Sequence, residues 1–194
     1  MEAADAARLD AIARGGRHQG VAAELLPRRY LALRDVLAAE PSLLVALDSV
    51  LDPQNLGAIV RSAAAAGADA VILPERRTAP VSAAAVRASS GATELVPLCR
   101  VPGLPSAIAE IKRAGIWCLV LDPRGETVAW DFDLTQRVCL VIGGEGGGAH
   151  RLVRERADLR LRLPMSPRVE SLNASAAAAA LLFELVRQRH SRRP

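Results

Sequence analysis

The sequence predicts an α/β fold, a mostly parallel sheet covered by helices on both faces. Three observations lead there. Short apolar runs alternate along the chain with segments whose apolar residues recur at helical spacing. The runs are continuous rather than alternating apolar and polar, which is the pattern of strands buried on both sides. A 194-residue chain that is 51% hydrophobic and 24% charged can also enclose a sizeable core.

The elements follow in order. Residues 43–48 (LLVALD) read as a buried strand, and residues 54–66 as a helix closed by Gly67. Residues 70–73 (AVIL) form a second strand, stopped by Pro74. Residues 81–89 are a helix ending at Gly91, and residues 94–98 a third strand. A helix over 104–114 is closed by Gly115 and leads into a fourth strand, 116–121 (IWCLVL), with a turn from Asp122 to Gly125. Residues 138–142 (VCLVI) are a fifth strand, followed by a glycine-rich loop and a helix around 149–157. The alternating LRLRL of residues 159–163 is a sixth strand, and residues 171–189 form a long terminal helix. Ahead of this unit, residues 5–13 and 30–39 carry helical patterns and residues 19–26 an extended one. Residues 1–40 therefore read as a lead-in, and residues 41–194 as the main domain.

Composition narrows the function classes. The longest apolar run, residues 176–183, is far short of a membrane span, and no basic segment followed by an apolar one opens the chain. The expected compartment is cytoplasmic. A net charge of +4 and a pI near 9.6 fit a nucleic-acid partner. Only Lys112 among the 25 basic residues is lysine, and alanine is abundant, so the charge also reflects a compositional bias. Cys99, Cys118 and Cys139 are isolated and read as small buried hydrophobes; His18, His150 and His190 are scattered, and no metal-site spacing is present. With 3% aromatics, base-stacking platforms are not expected.

Three segments carry candidate chemistry. The first, DPQNLGAIVR from Asp52 to Arg61, follows the first strand, with Pro53 suited to a first helical turn. Gly57 inside a helix costs about 1 kcal/mol relative to alanine, which implies a close approach there, and Arg61 lies one turn further on the same face. On local features alone this is a capped helix start with a surface arginine. The second, VIGGEGGG from Val141 to Gly148, runs from a strand through a glycine loop into a helix and sets Glu145 among five glycines. It does not match G-x-G-x-x-G, sits late in the chain and lacks G-K-[ST], so neither a dinucleotide fingerprint nor a P-loop fits. The third, LPMSPRVESLNAS from Leu163 to Ser175, is a proline-bounded loop in which Ser171 or Asn173 starts a helix; alone it is a loop with an N-cap.

Order and spacing make the set specific. D-P-x-N-x-G-x-x-x-R, I-G-x-E-x-x-G and L-P-M…E-S-L-N-x-S resemble the three motifs of the SpoU/TrmH family of RNA 2′-O-ribose methyltransferases, in the SPOUT superfamily. The likeness covers residues 43–189. The segment from His18 to Ala23 (HQGVAA) is similar to the hinge that precedes the catalytic domain in the 23S rRNA guanosine-2′-O-methyltransferase branch, where a small RNA-binding domain comes first; residues 1–40 would then be the remnant of that arrangement.

The resemblance implies a parallel sheet whose C-terminal part is tied in a deep trefoil knot, S-adenosylmethionine as cofactor, RNA as partner and a homodimer. No metal or membrane enters. It implies that Gly143, Gly144, Leu163, Met165 and Leu172 line the cofactor pocket, and that Glu145, Ser171 and Asn173 organise the active site while Asn55 and Arg61 face the ribose. The implied substrate is rRNA, with tRNA as the alternative; a non-catalytic RNA-binding module with a decayed cofactor site is the competing class. Pro167 and Arg168 stand where the family often has glycine, and Ala174 replaces the common valine.

Overall fold

The strands of the sheet are β1 (Leu43–Asp48), β2 (Ala70–Pro74), β3 (Leu98–Val101), β4 (Trp117–Leu121), β5 (Thr127–Val128), β6 (Val138–Gly143) and β7 (Leu159–Arg162). Their order is β3-β2-β1-β6-β4-β7-β5, and every pairing is parallel. The helices are α1 (Ala6–Ala13), α2 (Leu33–Ala38), α3 (Pro53–Ala65), α4 (Ala83–Ala88), α5 (Leu104–Arg113), α6 (Arg151–Arg156) and α7 (Ala174–Ser191). This is a computed structural model, and it describes residues 2–13, 15–16, 18–22 and 28–191. The expected α/β architecture, a parallel sheet flanked by helices, is what the chain forms.

Continuous apolar runs become strands here because both faces of the sheet are covered. In β1, Leu43, Val45 and Leu47 join Leu56, Ile59 and Val60 of α3 and Leu181, Leu182 and Leu185 of α7. The intervening Leu44 and Ala46 join Leu33 and Val36 of α2, Ile108 and Ile111 of α5, and Val153 of α6. Each such fully buried Leu, Ile or Val contributes about 1.5–3 kcal/mol. The three cysteines lie in the second layer and are free. Burial pushes the Cys99 thiol up to about 11, and a hydrogen bond with Cys118 together with burial raises Cys139 well above the ordinary thiol range. They act as packing atoms.

Several boundaries differ from the sequence pattern for local reasons. The third strand was expected over 94–98 but begins at Leu98, because Gly91 in a left-handed conformation opens a 3-10 turn at Ala92–Glu94 and Pro97 has no N–H for a ladder. Helix α2 starts at Leu33 rather than near residue 30, since Leu31 pairs with Cys99 along the free edge of β3. The two-residue β5 is too short for any periodicity to mark. Helix α7 begins at Ala174, not 171, which leaves Ser171 and Leu172 outside the helix. Of the extended segment expected over 19–26, and of the hinge from His18 to Ala23, residues 23–26 lie outside the described ones; Gln19 and Gly20 form a turn with positive φ.

Gly57 does mark a close approach, and the neighbour is α4. A Cβ there would lie 2.6 Å from Ala88 Cβ and would overlap the Ala85 carbonyl oxygen. In the loop after β2, the Thr78 hydroxyl is buried with no hydrogen-bond partner among the described residues. An orphaned hydroxyl costs about 1–3 kcal/mol. Thr78→Val should therefore raise the unfolding free energy by about 1 kcal/mol, read as a higher denaturant midpoint at unchanged slope.

Candidate active site

Open parallel sheets bind ligands beyond the carboxyl ends of their strands, at the point where strand order changes direction. Here the chain builds β2 and β3 to one side of β1, and β6, β4 and β7 to the other. Just beyond the ends of β4, β6 and β7 lies a cavity of about 940 Å³. Among its walls are Leu121, Ile142, Leu163, Met165 and Leu172, which are apolar, and Asp122, Arg124, Arg154, Glu145 and Glu170, which are charged.

The glycine loop is folded back on itself at one side of this cavity. Gly144 N donates to the Asp48 carbonyl (2.8 Å) and Gly148 N to the Gly144 carbonyl (3.1 Å). The buried Asp48 carboxylate accepts from His150 N at 2.5 Å, at the start of α6. Asp48 thus ties the end of β1 to both ends of the loop. A Cβ on Gly143 would overlap Gly148 and the Ala149 amide, and one on Gly144 would overlap the Ser49 carbonyl, whereas Gly147 faces open space. The first two glycines are required by the chain's own packing.

The three motifs meet in one hydrogen-bonded triangle. Asp52 caps α3 by accepting from Gln54 N (3.1 Å) and Asn55 N (3.3 Å), which fixes the turn carrying Asn55. Asn55 Nδ2 donates to Glu145 Oε1 at 3.0 Å. Asn173 Nδ2 donates to Asn55 Oδ1 (2.9 Å) and to Glu145 Oε1 (2.6 Å). The Asn173 amide has only one useful orientation, because its Oδ1 already accepts from Ser175 N, Ser175 Oγ and Ala176 N at the head of α7. One side chain therefore caps a helix with its oxygen and completes the triangle with its nitrogen.

Of the ten expected site residues, Gly143, Gly144, Glu145, Leu163, Met165, Ser171, Leu172 and Asn173 line the cavity. Asn55 is buried behind Glu145. Arg61 does not line the cavity; it is exposed on α3, with no hydrogen bond or ion pair among the described residues. Sequence reasoning missed Asp48 and Asp122, both buried. Asp122 accepts from Arg124 N (2.8 Å) and stands 3.9 Å from Arg154. A signal existed: each is an acid that ends an apolar strand run. Among the described residues no His, Cys, Asp and Glu side chains gather in threes to suit a metal.

Residues 42–183 match the SpoU rRNA Methylase family. The chain belongs to that family. It is 45% identical over 188 residues to an uncharacterized tRNA/rRNA methyltransferase of Mycolicibacterium vanbaalenii, covering 94% of this chain and 60% of that protein. It is 44% identical over 186 residues to the 23S rRNA (guanosine-2′-O-)-methyltransferase RlmB of Xylella fastidiosa, covering 93% and 75%. The SpoU methyltransferase AviRb of Streptomyces viridochromogenes, solved in complex with AdoMet, superposes with a TM-score of 0.81 at 32% identity, covering 95% and 73% of the two chains. The chain thus spans 60% of the length of the Mycolicibacterium relative. The Asn55–Glu145–Asn173 triangle joins residues up to 118 positions apart in sequence.

Proposed function

We propose that this chain is a methyltransferase domain that transfers a methyl group from S-adenosylmethionine to a ribose 2′-OH in RNA. The substrate in this proposal is rRNA, with tRNA as the alternative, the compartment is the cytoplasm, and no metal takes part. The Asn55–Glu145–Asn173 triangle at the cavity carries the proposal, because it ties one residue from each motif to the wall of a single pocket. The name of the Xylella relative supports the same activity, and that of the Mycolicibacterium relative supports an RNA methyltransferase. Among the described residues no helix is long and apolar enough to cross a membrane.

The cavity suits the cofactor chemically. Its apolar wall of Leu163, Met165 and Leu172 matches a purine ring, while the carboxylates and guanidinium groups of Asp122, Arg124 and Arg154 match a zwitterionic amino-acid end. A volume of about 940 Å³ is ample for a molecule of that size. When bound, S-adenosylmethionine supplies a methyl group already activated by its positive sulfur. The chain's residues then have to hold the ribose in line and deal with the hydroxyl proton. Glu145 Oε1 is occupied by two amide donors, so Oε2 is the carboxylate oxygen left to accept from a substrate hydroxyl. Arg61 carries a guanidinium, which is a poor base; its role in this proposal is to hold a phosphate and stabilise the developing oxyanion. The 2′-OH nucleophile implies RNA rather than DNA.

A homodimer, and the trefoil knot implied by family, complete the proposal. Ala176, Ala180 and Phe183 form an exposed stripe on α7 that suits a second copy, and the insertion of β6 between β1 and β4 before the chain crosses to β7 suits a threaded C-terminal segment. Titrating S-adenosylmethionine into the protein by calorimetry, in buffer containing EDTA, tests the cofactor assignment. The expected result is saturable binding unaffected by the chelator. Absence of binding by folded protein would refute the assignment.

A further inference from the structure

The arginines of α5 and α6 are spent on the chain itself, as are Arg187 and Arg189 of α7. Arg113 donates to the Ala109 carbonyl, Arg156 to the Pro105 carbonyl, and Arg151 pairs with Glu155. On the face carrying α3 and α4, Arg61, Arg76, Arg77 and Arg87 are all exposed and have no acceptor among the described residues. Of the acids around α3, α4 and α7, Asp52 is committed to capping α3, Asp69 to Ser42 and Leu43, Glu94 to Arg28 and Glu184 to Arg187, while Glu75 has no ion pair among the described residues.

These four arginines are tied to the catalytic centre by packing. Gly57 lets α3 and α4 touch at Ala85 and Ala88, so Arg61 on α3 and Arg87 on α4 flank one crossing. Asn55 lies two residues before Gly57 on the same helix. The loop bearing Arg76 and Arg77 is anchored where Ala79 N donates to the Val50 carbonyl at 2.8 Å. Its neighbour Ser49 packs directly on Gly144, next to Glu145. This loop also carries two local costs. Arg77 adopts a left-handed φ of 60°, and the adjacent Thr78 hydroxyl is buried without a partner.

We infer that Arg76, Arg77 and Arg87 form, with Arg61, a phosphate-binding tract on the α3–α4 face that seats the RNA backbone on either side of the reacting ribose. The inference rests on the RNA methyltransferase reading and adds the surface by which the substrate is held. Unpaired guanidinium groups carried on neighbouring elements suit successive phosphates along a strand, since each can fork onto two phosphate oxygens. Sequence is not read by such contacts; they fix register and orientation.

The test uses the full chain and a fluorescein-labelled RNA stem–loop, with affinity measured across a salt series. Arg76→Gln/Arg77→Gln should weaken binding at low salt at least tenfold and lower the slope of log K against log[salt] by about 1.5, as expected for two lost phosphate contacts. Arg113→Gln/Arg151→Gln removes the same charge from the opposite face and should change the affinity less than threefold. Equal losses in both double variants, or none in the first, would overturn the tract. Titration of S-adenosylmethionine on the same samples separates the two claims. Wild-type protein that binds the cofactor but not the RNA contradicts the tract alone, whereas failure to bind either contradicts the underlying function.

Discussion

Gly143→Ala should abolish S-adenosylmethionine binding and destabilise the protein by about 3 kcal/mol, the upper range for forcing an extra group into a packed site. The new methyl group would overlap the Gly148 backbone and the Ala149 amide, neither of which can rotate away as a side chain could. Relief requires the loop to open, which pulls His150 N from the Asp48 carboxylate and moves Glu145 out of the triangle. Gly143→Val should be worse for the same reason. The obstacle is thus internal to the loop, not a side chain projecting into the cofactor space. Gly147→Ala is the control. Its Cβ meets nothing within 4 Å, so its unfolding free energy should stay within about 0.5 kcal/mol of wild type. Chemical denaturation and calorimetric titration of the three variants check both parts.

Arg61→Ala should leave the fold and cofactor affinity nearly unchanged, because its side chain makes no hydrogen bond or ion pair among the described residues and does not line the cavity. Methyl transfer should fall by about 10²–10³, the usual loss for one donor to a developing oxyanion. Arg61→Lys should recover little of it, since an ammonium cannot make a forked contact. Single-turnover rates with saturating cofactor read this directly. A near wild-type rate for the alanine variant would remove Arg61 from the chemistry.

Much of the architecture was legible because parallel strands leave continuous apolar runs. LLVALD, AVIL and VCLVI each became a strand within a residue of the expected bounds. The misplaced third strand shows the limit. ELVPL looks like a strand, yet the left-handed Gly91 and the missing N–H of Pro97 shift pairing to Leu98. At the site, spacing alone suggested three separate caps and turns. Asn173 does cap a helix, and the same side chain also meets Asn55 and Glu145, a contact that no local pattern encodes. Family resemblance supplied that association. Asp48 and Asp122 escaped because a terminal acid on an apolar strand has no periodicity, only a position. Gly57 was legible as a close approach, but its partner, α4, follows from tertiary packing alone.

The most direct measurement incubates the protein with S-adenosylmethionine and rRNA from a strain lacking its gene, then maps the ribose 2′-O-methyl groups. A new 2′-O-methyl group at a defined nucleotide, strongly reduced when Arg61 is alanine, is the predicted result. Methyl transfer to a base, or no transfer to rRNA or tRNA by protein that binds the cofactor, would contradict it.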